Sequence, residues 1–159
     1  MNIEIIAVGK VKENYISEGL KEFLKRMKPF AVVEIKEVPD ERAPEGLSDR
    51  EAEQVKAREG ERLLRLIKPG QVVIVLDSKG RNISSEELAE EISRWGLRGK
   101  SDLLFIIGGS LGLHCDVINR AEMVLSFGKM TFPHQLMRLL LLEQIYRAFK
   151  INRGEPYHK

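Results

Sequence analysis

Two uninterrupted apolar runs in the second half of the chain limit its fold more than any other feature. Residues 72–76 and 103–107 are large apolar side chains, many of them β-branched, without an interrupting polar residue. A strand with one face in water alternates apolar and polar residues, whereas a strand covered on both faces does not. The two runs therefore predict an α/β fold, a mostly parallel sheet with helices on both faces.

Shorter signals complete this alternation of strands and helices. Ser48 and Ser84 each stand three residues before a glutamate, which predicts a capping box at the start of a helix. A turn is predicted at residues 77–80, where Gly80 ends a polar run. Further strands are predicted at 3–8, 31–38 and 121–126, and helices at 12–28, 48–68, 84–95, 114–120 and 134–150. No repeat or linker is visible, so residues 1–159 are expected to form one domain.

The last helix is apolar on more than one face. Residues 139–142 are four consecutive leucines, which sweep about 300° of a helix at roughly 100° per residue. A helix on the surface of a monomer shows one apolar stripe. We expect one side of this helix to cover its own sheet and another to pack on a second copy in a symmetric dimer. The alternative is a helix buried wholly within one small domain.

Cysteine content and hydropathy exclude several classes of protein. Cys115 is the one cysteine, so an internal disulfide and a multi-cysteine zinc site are excluded. The three histidines lack a short metal-ligand spacing, and no metal cofactor is expected. The N-terminus does not resemble a secretory leader. The longest uncharged run, 103–115, is too short to span a bilayer. A cytoplasmic protein without a membrane partner is predicted.

Charge is unevenly distributed, although the net charge is only +2. Residues 129–159 contain six basic and two acidic residues, giving +4, which leaves −2 for the remainder. The asymmetry favours a C-terminal segment that faces a polyanion. Chance asymmetry is the alternative.

A glycine-rich segment follows the second buried strand. Residues 108–112 read Gly-Gly-Ser-Leu-Gly and match the G-x-S-x-G elbow of serine hydrolases. Ser110 would then be a nucleophile, with Asp116 or Glu143 and His158 completing a triad. The alternative is a glycine turn where the backbone approaches a ligand closely. Neither a P-loop nor a G-x-G-x-x-G dinucleotide fingerprint is present.

Three loops follow buried strands, after Leu76, Ile107 and Ser126. Ligands of open α/β sheets bind at the carboxyl ends of the strands. These loops offer glycines, backbone groups and apolar side chains but few charges. Such a pocket suits a flat, mostly neutral heterocycle such as adenine.

Four segments together resemble a known family: 108–112, 125–134, 143–148 and the terminal Pro-Tyr-His-Lys at 156–159. They are similar to the bacterial 23S rRNA pseudouridine N3-methyltransferases, the RlmH family of the SPOUT superfamily, and the resemblance extends over essentially the whole chain. It implies a C-terminal trefoil knot that holds S-adenosylmethionine at a homodimer interface. It also implies methylation of a pseudouridine in 23S rRNA, within assembled ribosomes.

The resemblance implies roles for individual residues. Tyr157 and His158 would position the base or accept its proton, and Arg138, Arg147 and Lys159 would contact RNA. Arg138 and Arg147 could instead be tied to Glu143 or to carbonyls, and His134 could be a pocket or a cap residue. Lys159 replaces an arginine that is frequent in the family, which weakens the case for a two-pronged phosphate contact there. The cofactor would contact Leu76, Gly108, Phe127, Gly128, Lys129, Met130, Thr131 and Phe132.

Two other readings stay open beside the methyltransferase. One is the small serine hydrolase that would use Ser110. The other is a ribosome-binding module whose pocket is vestigial.

Overall fold

The computed structural model describes residues 1–159 and contains one sheet of five strands with five helices. In chain order the elements are β1 (Asn2–Val8), α1 (Asn14–Met27), β2 (Val32–Val38), α2 (Asp49–Leu64), β3 (Val72–Asn82), α3 (Ser85–Leu97), β4 (Asp102–Ile107), α4 (Cys115–Asn119), β5 (Met123–Ser126) and α5 (His134–Asn152).

The strands lie in the order β2-β1-β4-β3-β5, and every neighbouring pair is parallel. The two apolar runs form β3 and β4, which are interior strands, as predicted. All carboxyl ends of a parallel sheet lie at the same edge. The loops after the strands are therefore brought together at one edge of the molecule.

Helices cover both faces of the sheet, which confirms the predicted fold class. Along β4, Leu103 and Phe105 belong to the larger core, under α1, α3 and α5. Their neighbours Leu104 and Ile106 point to the smaller core, under α2 and α4. All four side chains are fully buried. Two-sided burial explains why this strand carries no polar residue after the exposed Asp102 at its start.

Both predicted capping boxes are present. The Ser48 hydroxyl accepts the Glu51 amide N–H at 3.2 Å, and the Glu51 carboxylate accepts the Ser48 amide N–H at 2.8 Å. Ser84 and Glu87 make the same exchange at the start of α3. The helix after Ser48 ends at Leu64, earlier than the predicted 68, because residues 65–67 form tighter hydrogen-bonded turns.

The predicted turn at residues 77–80 is wrong. β3 continues to Asn82, and residues 77–80 form an irregularity inside it, because Leu76 and Arg81 both pair with Leu125 of β5. A β-carbon on Gly80 would lie 2.7 Å from the carbonyl carbon of Val124. Gly80 is therefore required by close backbone packing. The sequence pattern had indicated a reversal of the chain at this glycine.

Helix α5 lies over the sheet between α1 and α3. Leu141, Leu142 and Ile145 are fully buried beneath it, whereas Leu136 and Leu140 keep part of their surface exposed. One chain therefore covers most but not all of the apolar surface of α5. The predicted homodimer stays a prediction, and so does the trefoil knot, because strand order alone does not establish threading. No helix has the length and hydropathy needed to cross a membrane.

Replacing Gly80 with alanine should destabilise the fold, because the new methyl group would overlap the Val124 backbone. Overpacking of this kind costs about 1–3 kcal/mol. Urea unfolding of Gly80→Ala and of Lys79→Ala, at the exposed neighbouring position, measures the difference. Equal stability of the two variants would contradict the close packing of β3 on β5.

Candidate functional site

A cavity of about 760 Å³ opens at the carboxyl edge of the sheet and is called the large cavity below. This volume lies in the range of small-molecule and cofactor sites. Its walls are the irregular part of β3 that begins at Leu76, the loops after β4 and β5, and the first turn of α5. These include the three segments that the sequence pattern indicated, although the first of them belongs to β3 and α5 is an additional wall.

All eight residues predicted to contact the cofactor line this cavity. They arise from β3 and from the loops after β4 and β5, so the structure brings together what the sequence keeps up to 56 positions apart (76 to 132). Their contact with a cofactor stays a prediction. The cavity also includes residues that sequence reasoning did not assign to it: Leu125, Pro133 and Met137.

Glycines shape the cavity wall. A β-carbon on Gly108 would lie 3.0 Å from the Gly112 carbonyl carbon, so the turn between them closes tightly. Gly112 and Gly128 have φ angles of +86° and +120°, which side chains disfavour, and open space lies where their β-carbons would be. A wall of backbone and apolar groups fits the adenosine and methionine portions of S-adenosylmethionine.

The buried hydroxyl of Ser126 holds the loop after β5. It accepts the amide N–H of Gly128 at 3.1 Å and lies 3.3 Å from the carbonyl oxygen of Ser78, to which it can donate. The irregular part of β3 and the loop after β5 are thereby joined beside the cavity.

A buried carboxylate supports the loop after β4 from behind. Glu59 is almost fully buried, and both of its carboxylate oxygens lie 3.3 Å from the position that a β-carbon on Gly109 would take. It accepts the Glu41 amide N–H at 3.0 Å. Burial raises the pKa of Glu59 above its usual value. A larger residue at position 109 would press on this carboxylate.

Arg138 lies inside the protein, and this corrects its predicted role in RNA binding. Its guanidinium donates to the carbonyl oxygens of Val8 at 3.0 Å and Gly9 at 2.8 Å, and to Glu37 at 2.9 Å. The side chain is completely buried, and its Nε atom has no partner. Phosphate therefore has no access to this cation. The side chain ties α5 to the ends of β1 and β2, as the alternative reading allowed.

His134 lies at the cavity wall, one helical turn before Arg138. Its Nε2 atom is 3.8 Å from the position that a β-carbon on Gly9 would take, and the Asp40 carboxyl lies beside the same position. Burial lowers the pKa of His134 below its usual 6.5, and the neighbouring Arg138 cation lowers it further, against a smaller opposite effect of Asp40. The imidazole is therefore neutral at pH 7.

A smaller cavity of about 350 Å³ adjoins the first and shares Leu125, Phe127 and Phe132 with it. Polar groups line its far side, among them Gln144 of α5, which accepts the Ser85 hydroxyl at 2.6 Å. The two cavities therefore lie side by side, with the smaller one against the side of α5.

The C-terminal tail packs on α5 and does not fray. The hydroxyl of Tyr157 donates to Glu143 at 3.0 Å, and its ring meets Tyr146 edge-on at 4.9 Å between centroids. The Arg147 guanidinium lies over the same ring at 4.8 Å and donates to Glu143 at 2.6 Å. Burial and the bond to Glu143 raise the pKa of Tyr157, so its hydroxyl stays protonated. Arg147 is thus paired with Glu143, which is the alternative that the sequence analysis gave to a contact with RNA.

His158 is held from both sides. Its Nδ1 atom is 3.2 Å from an Arg147 nitrogen, and its Nε2 atom is 2.7 Å from the Glu86 carboxylate. Because arginine only donates, Nδ1 accepts and Nε2 carries the proton given to Glu86. Both ring nitrogens are therefore occupied, which favours an orienting role over that of a proton acceptor. Lys159 is exposed at the end of the chain.

The tail and the large cavity lie apart. None of the residues 143, 147, 157 and 158 lines the cavity, whereas Met137 does. Arg147, which touches His158, is ten residues beyond Met137 on α5, a distance of about 15 Å along the helix. Proton transfer needs about 3 Å. His158 therefore does not serve its own chain's cavity in this conformation.

Other candidate groups are explained by local structure. Ser110 is exposed in the loop after β4, and no hydrogen bond joins its hydroxyl to a histidine or a carboxylate, so a triad is not assembled. His114, Cys115 and Asp116 have ligand atoms within 4.8 Å of one another. The His114 ring accepts the Asp116 amide N–H at 3.2 Å and so caps the short α4.

Replacing Arg138 with methionine should destabilise the protein strongly, because the Val8 and Gly9 carbonyls would lose their buried donor. Removing one partner of a buried charged network costs about 3–5 kcal/mol. Arg65→Met is the matched control, since Arg65 forms a pair with Glu61 on the surface of α2 and should contribute little. Chemical unfolding measures both variants. A small loss in Arg138→Met would return Arg138 to the list of candidate RNA contacts.

The chain matches known proteins over its whole length. Residues 1–158 match the family model described as "Predicted SPOUT methyltransferase". The chain is 62% identical over 159 residues to "Ribosomal RNA large subunit methyltransferase H" of Carboxydothermus hydrogenoformans, covering all of both chains. A probable methylase family protein from Haemophilus influenzae has a similar fold at 14% identity, with a TM-score of 0.54, over 99% of this chain and 70% of that one. The chain therefore belongs to the SPOUT methyltransferase family.

Proposed function

We propose that this protein uses S-adenosylmethionine to methylate N3 of a pseudouridine in 23S rRNA, acting on the assembled ribosome. One observation carries the proposal: eight loop residues that the RlmH resemblance implies as cofactor contacts line a single cavity of suitable size. The full-length relative whose name states a large-subunit rRNA substrate supports the same conclusion.

The loops of the large cavity would hold the methyl donor. Leu76, Gly108 and the segment 127–132 offer backbone groups and apolar surface, with little charge to oppose a sulfonium. When bound, S-adenosylmethionine supplies an activated methyl group. The chain must then align N3 of the base with that methyl group and provide for the N3 proton.

His134 is the side chain best placed to accept the proton. It lines the cavity, and its lowered pKa keeps the imidazole unprotonated at neutral pH. An acceptor must be unprotonated before the reaction, and an imidazole is the side chain most often used. This assignment differs from the first expectation, in which Tyr157 and His158 would position the base or accept its proton.

Tyr157 and His158 would orient the base. The bonds to Glu143, Arg147 and Glu86 fix both rings in one position. Their distance from the cavity of the same chain leads us to propose that a second copy supplies them. Packing of two copies through the partly exposed face of α5, which includes Leu136 and Leu140, would bring each tail toward the other chain's cavity.

Calorimetry with S-adenosylmethionine, followed by transfer of a tritiated methyl group, tests the function. We expect saturable binding, then transfer to intact ribosomes from a strain that lacks this enzyme. Absence of binding would refute the use of this donor and favour a ribosome-binding module with a vestigial pocket. Transfer to free tRNA in preference to ribosomes would refute the substrate. Labelling of Ser110 by a fluorophosphonate would favour the hydrolase instead.

His134→Asn should lower the rate of methyl transfer by about 10²-fold or more, the usual contribution of a general base. In the wild type, the rate should fall only below pH 6.5, as the ring protonates through its lowered pKa. The variant should lose this acid limb. His114→Asn changes a histidine that caps α4 and serves as the control. An unchanged pH profile in His134→Asn would remove His134 from the proton transfer.

Deleting residues 157–159 should abolish methyl transfer and leave donor binding largely intact, because the tail does not line the cavity. Calorimetry and tritium transfer on the same preparation separate the two effects. Lys159→Gln, which keeps Tyr157 and His158, is the matched control and should retain most activity. Full activity of the truncated protein would exclude the tail from the reaction.

A further inference from the structure

Most of the positive charge in the basic C-terminal segment is paired within the fold. Arg138 is paired with Glu37, Arg147 with Glu143, and Lys150 and Arg153 with Glu155. Paired cations contribute little net attraction to a distant anion. Four of the six basic residues of the segment are therefore engaged by three carboxylates, which leaves Lys129 and Lys159 without an ion pair.

Five unpaired cations lie at the carboxyl edge of the sheet, where the large cavity opens. Lys10 and Lys12 follow β1, Lys79 and Arg81 lie in the irregular end of β3, and Lys129 lies in the loop after β5. All five are exposed, and none forms an ion pair. We name these five residues the cationic rim.

The loops that carry the rim are fixed to the cavity wall. The Lys12 amide N–H donates to Gln135 of α5 at 2.8 Å, next to His134. The Lys79 amide N–H donates to Asp77 at 2.8 Å, and Asp77 lines the cavity. Lys129 lines the cavity itself. The cations are therefore presented by ordered backbone around one opening.

We propose that the cationic rim holds the RNA backbone along the carboxyl edge of the sheet, so that the target nucleotide enters the cavity between the rim residues. The inference rests on the proposed function and names the surface that its substrate uses. The strands from β1 to β5 are three steps apart in the sheet, or about 14 Å at roughly 4.8 Å per step. A row of cations of that length can meet more than one phosphate of an RNA strand that lies along it.

The chemistry of the rim fits backbone contact and not base reading. Four of its five members are lysines, which contact phosphate as point charges. Recognition of base edges instead uses side chains that form two parallel hydrogen bonds, such as arginine, asparagine or glutamine. Phosphate contacts set the position of the nucleic acid and carry no sequence information. Selection of the target would then depend on the shape of the ribosomal site.

The test removes three rim charges and compares the result with the same change at the opposite edge. The rim variant is Lys10→Gln/Lys12→Gln/Lys79→Gln, which leaves the cavity residue Lys129 intact. The control is Lys28→Gln/Arg98→Gln/Lys100→Gln. These three residues are exposed, unpaired and located before β2 and β4, at the amino edge of the sheet.

Methyl transfer to ribosomes is measured over a series of salt concentrations. The rim variant should raise KM by about tenfold and reduce the slope of log KM against log salt by about 2, since each lost phosphate contact removes about 0.7. Its kcat and its calorimetric affinity for S-adenosylmethionine should stay within about twofold of wild type, and the control should match wild type throughout. A rim variant that behaves like the control would overturn the proposal.

Equilibrium binding to ribosomes, which needs no methyl transfer, separates this proposal from the proposed function. Wild-type protein that binds ribosomes with a rim-dependent salt slope but transfers no methyl group would refute the activity and support the rim. Binding with the same salt slope in the rim variant and in wild type would refute the rim, whatever the activity.

Discussion

The buried guanidinium of Arg138 is the interaction on which the site depends. It joins α5 to the carboxyl ends of β1 and β2 through Val8, Gly9 and Glu37. Because α5 is fixed there, His134 and Met137 reach the wall of the cavity. The same cation helps to lower the pKa of His134. One buried charge thus positions the last helix and sets the protonation of the residue proposed to accept the proton.

Local sequence patterns predicted most of the fold. Uninterrupted apolar runs identified the strands covered on both faces, and serine–glutamate spacings identified the starts of α2 and α3, because these features depend on neighbouring residues alone. The segment 77–80 was wrongly predicted as a turn. Its glycine is required because the backbone of Val124, far along the chain, packs too closely for a side chain at position 80. The two readings of Arg138, contact with RNA or bonds to carbonyls, could not be decided from the sequence, since its partners are about 100 and 130 residues away.

The candidate site divides in the same way. Loop residues after buried strands could be predicted, because parallel strands place their carboxyl ends at one edge. The i,i+4 spacing of Glu143 and Arg147 allowed their ion pair to be considered from the sequence. The bonds of Tyr157 to Glu143 and of His158 to Arg147 and Glu86 could not be predicted, because their partners lie 11 to 72 residues away. The charge of a sequence segment likewise did not predict which cations are free to contact RNA, because ion pairs within the fold engage most of the cations of the C-terminal segment. The separation of tail and cavity leads to the central claim, that two copies share each site.

Complementation between two inactive variants tests this claim most directly. One variant lacks residues 157–159, and the other carries Ser110→Trp, whose indole fills the cavity and whose loss of donor binding is verified by calorimetry. After mixing and exchange of subunits, half of the dimers contain one complete site, so the account predicts about a quarter of wild-type methyl transfer to ribosomes. A mixture that stays inactive, although mixed dimers are detected, would contradict the shared site.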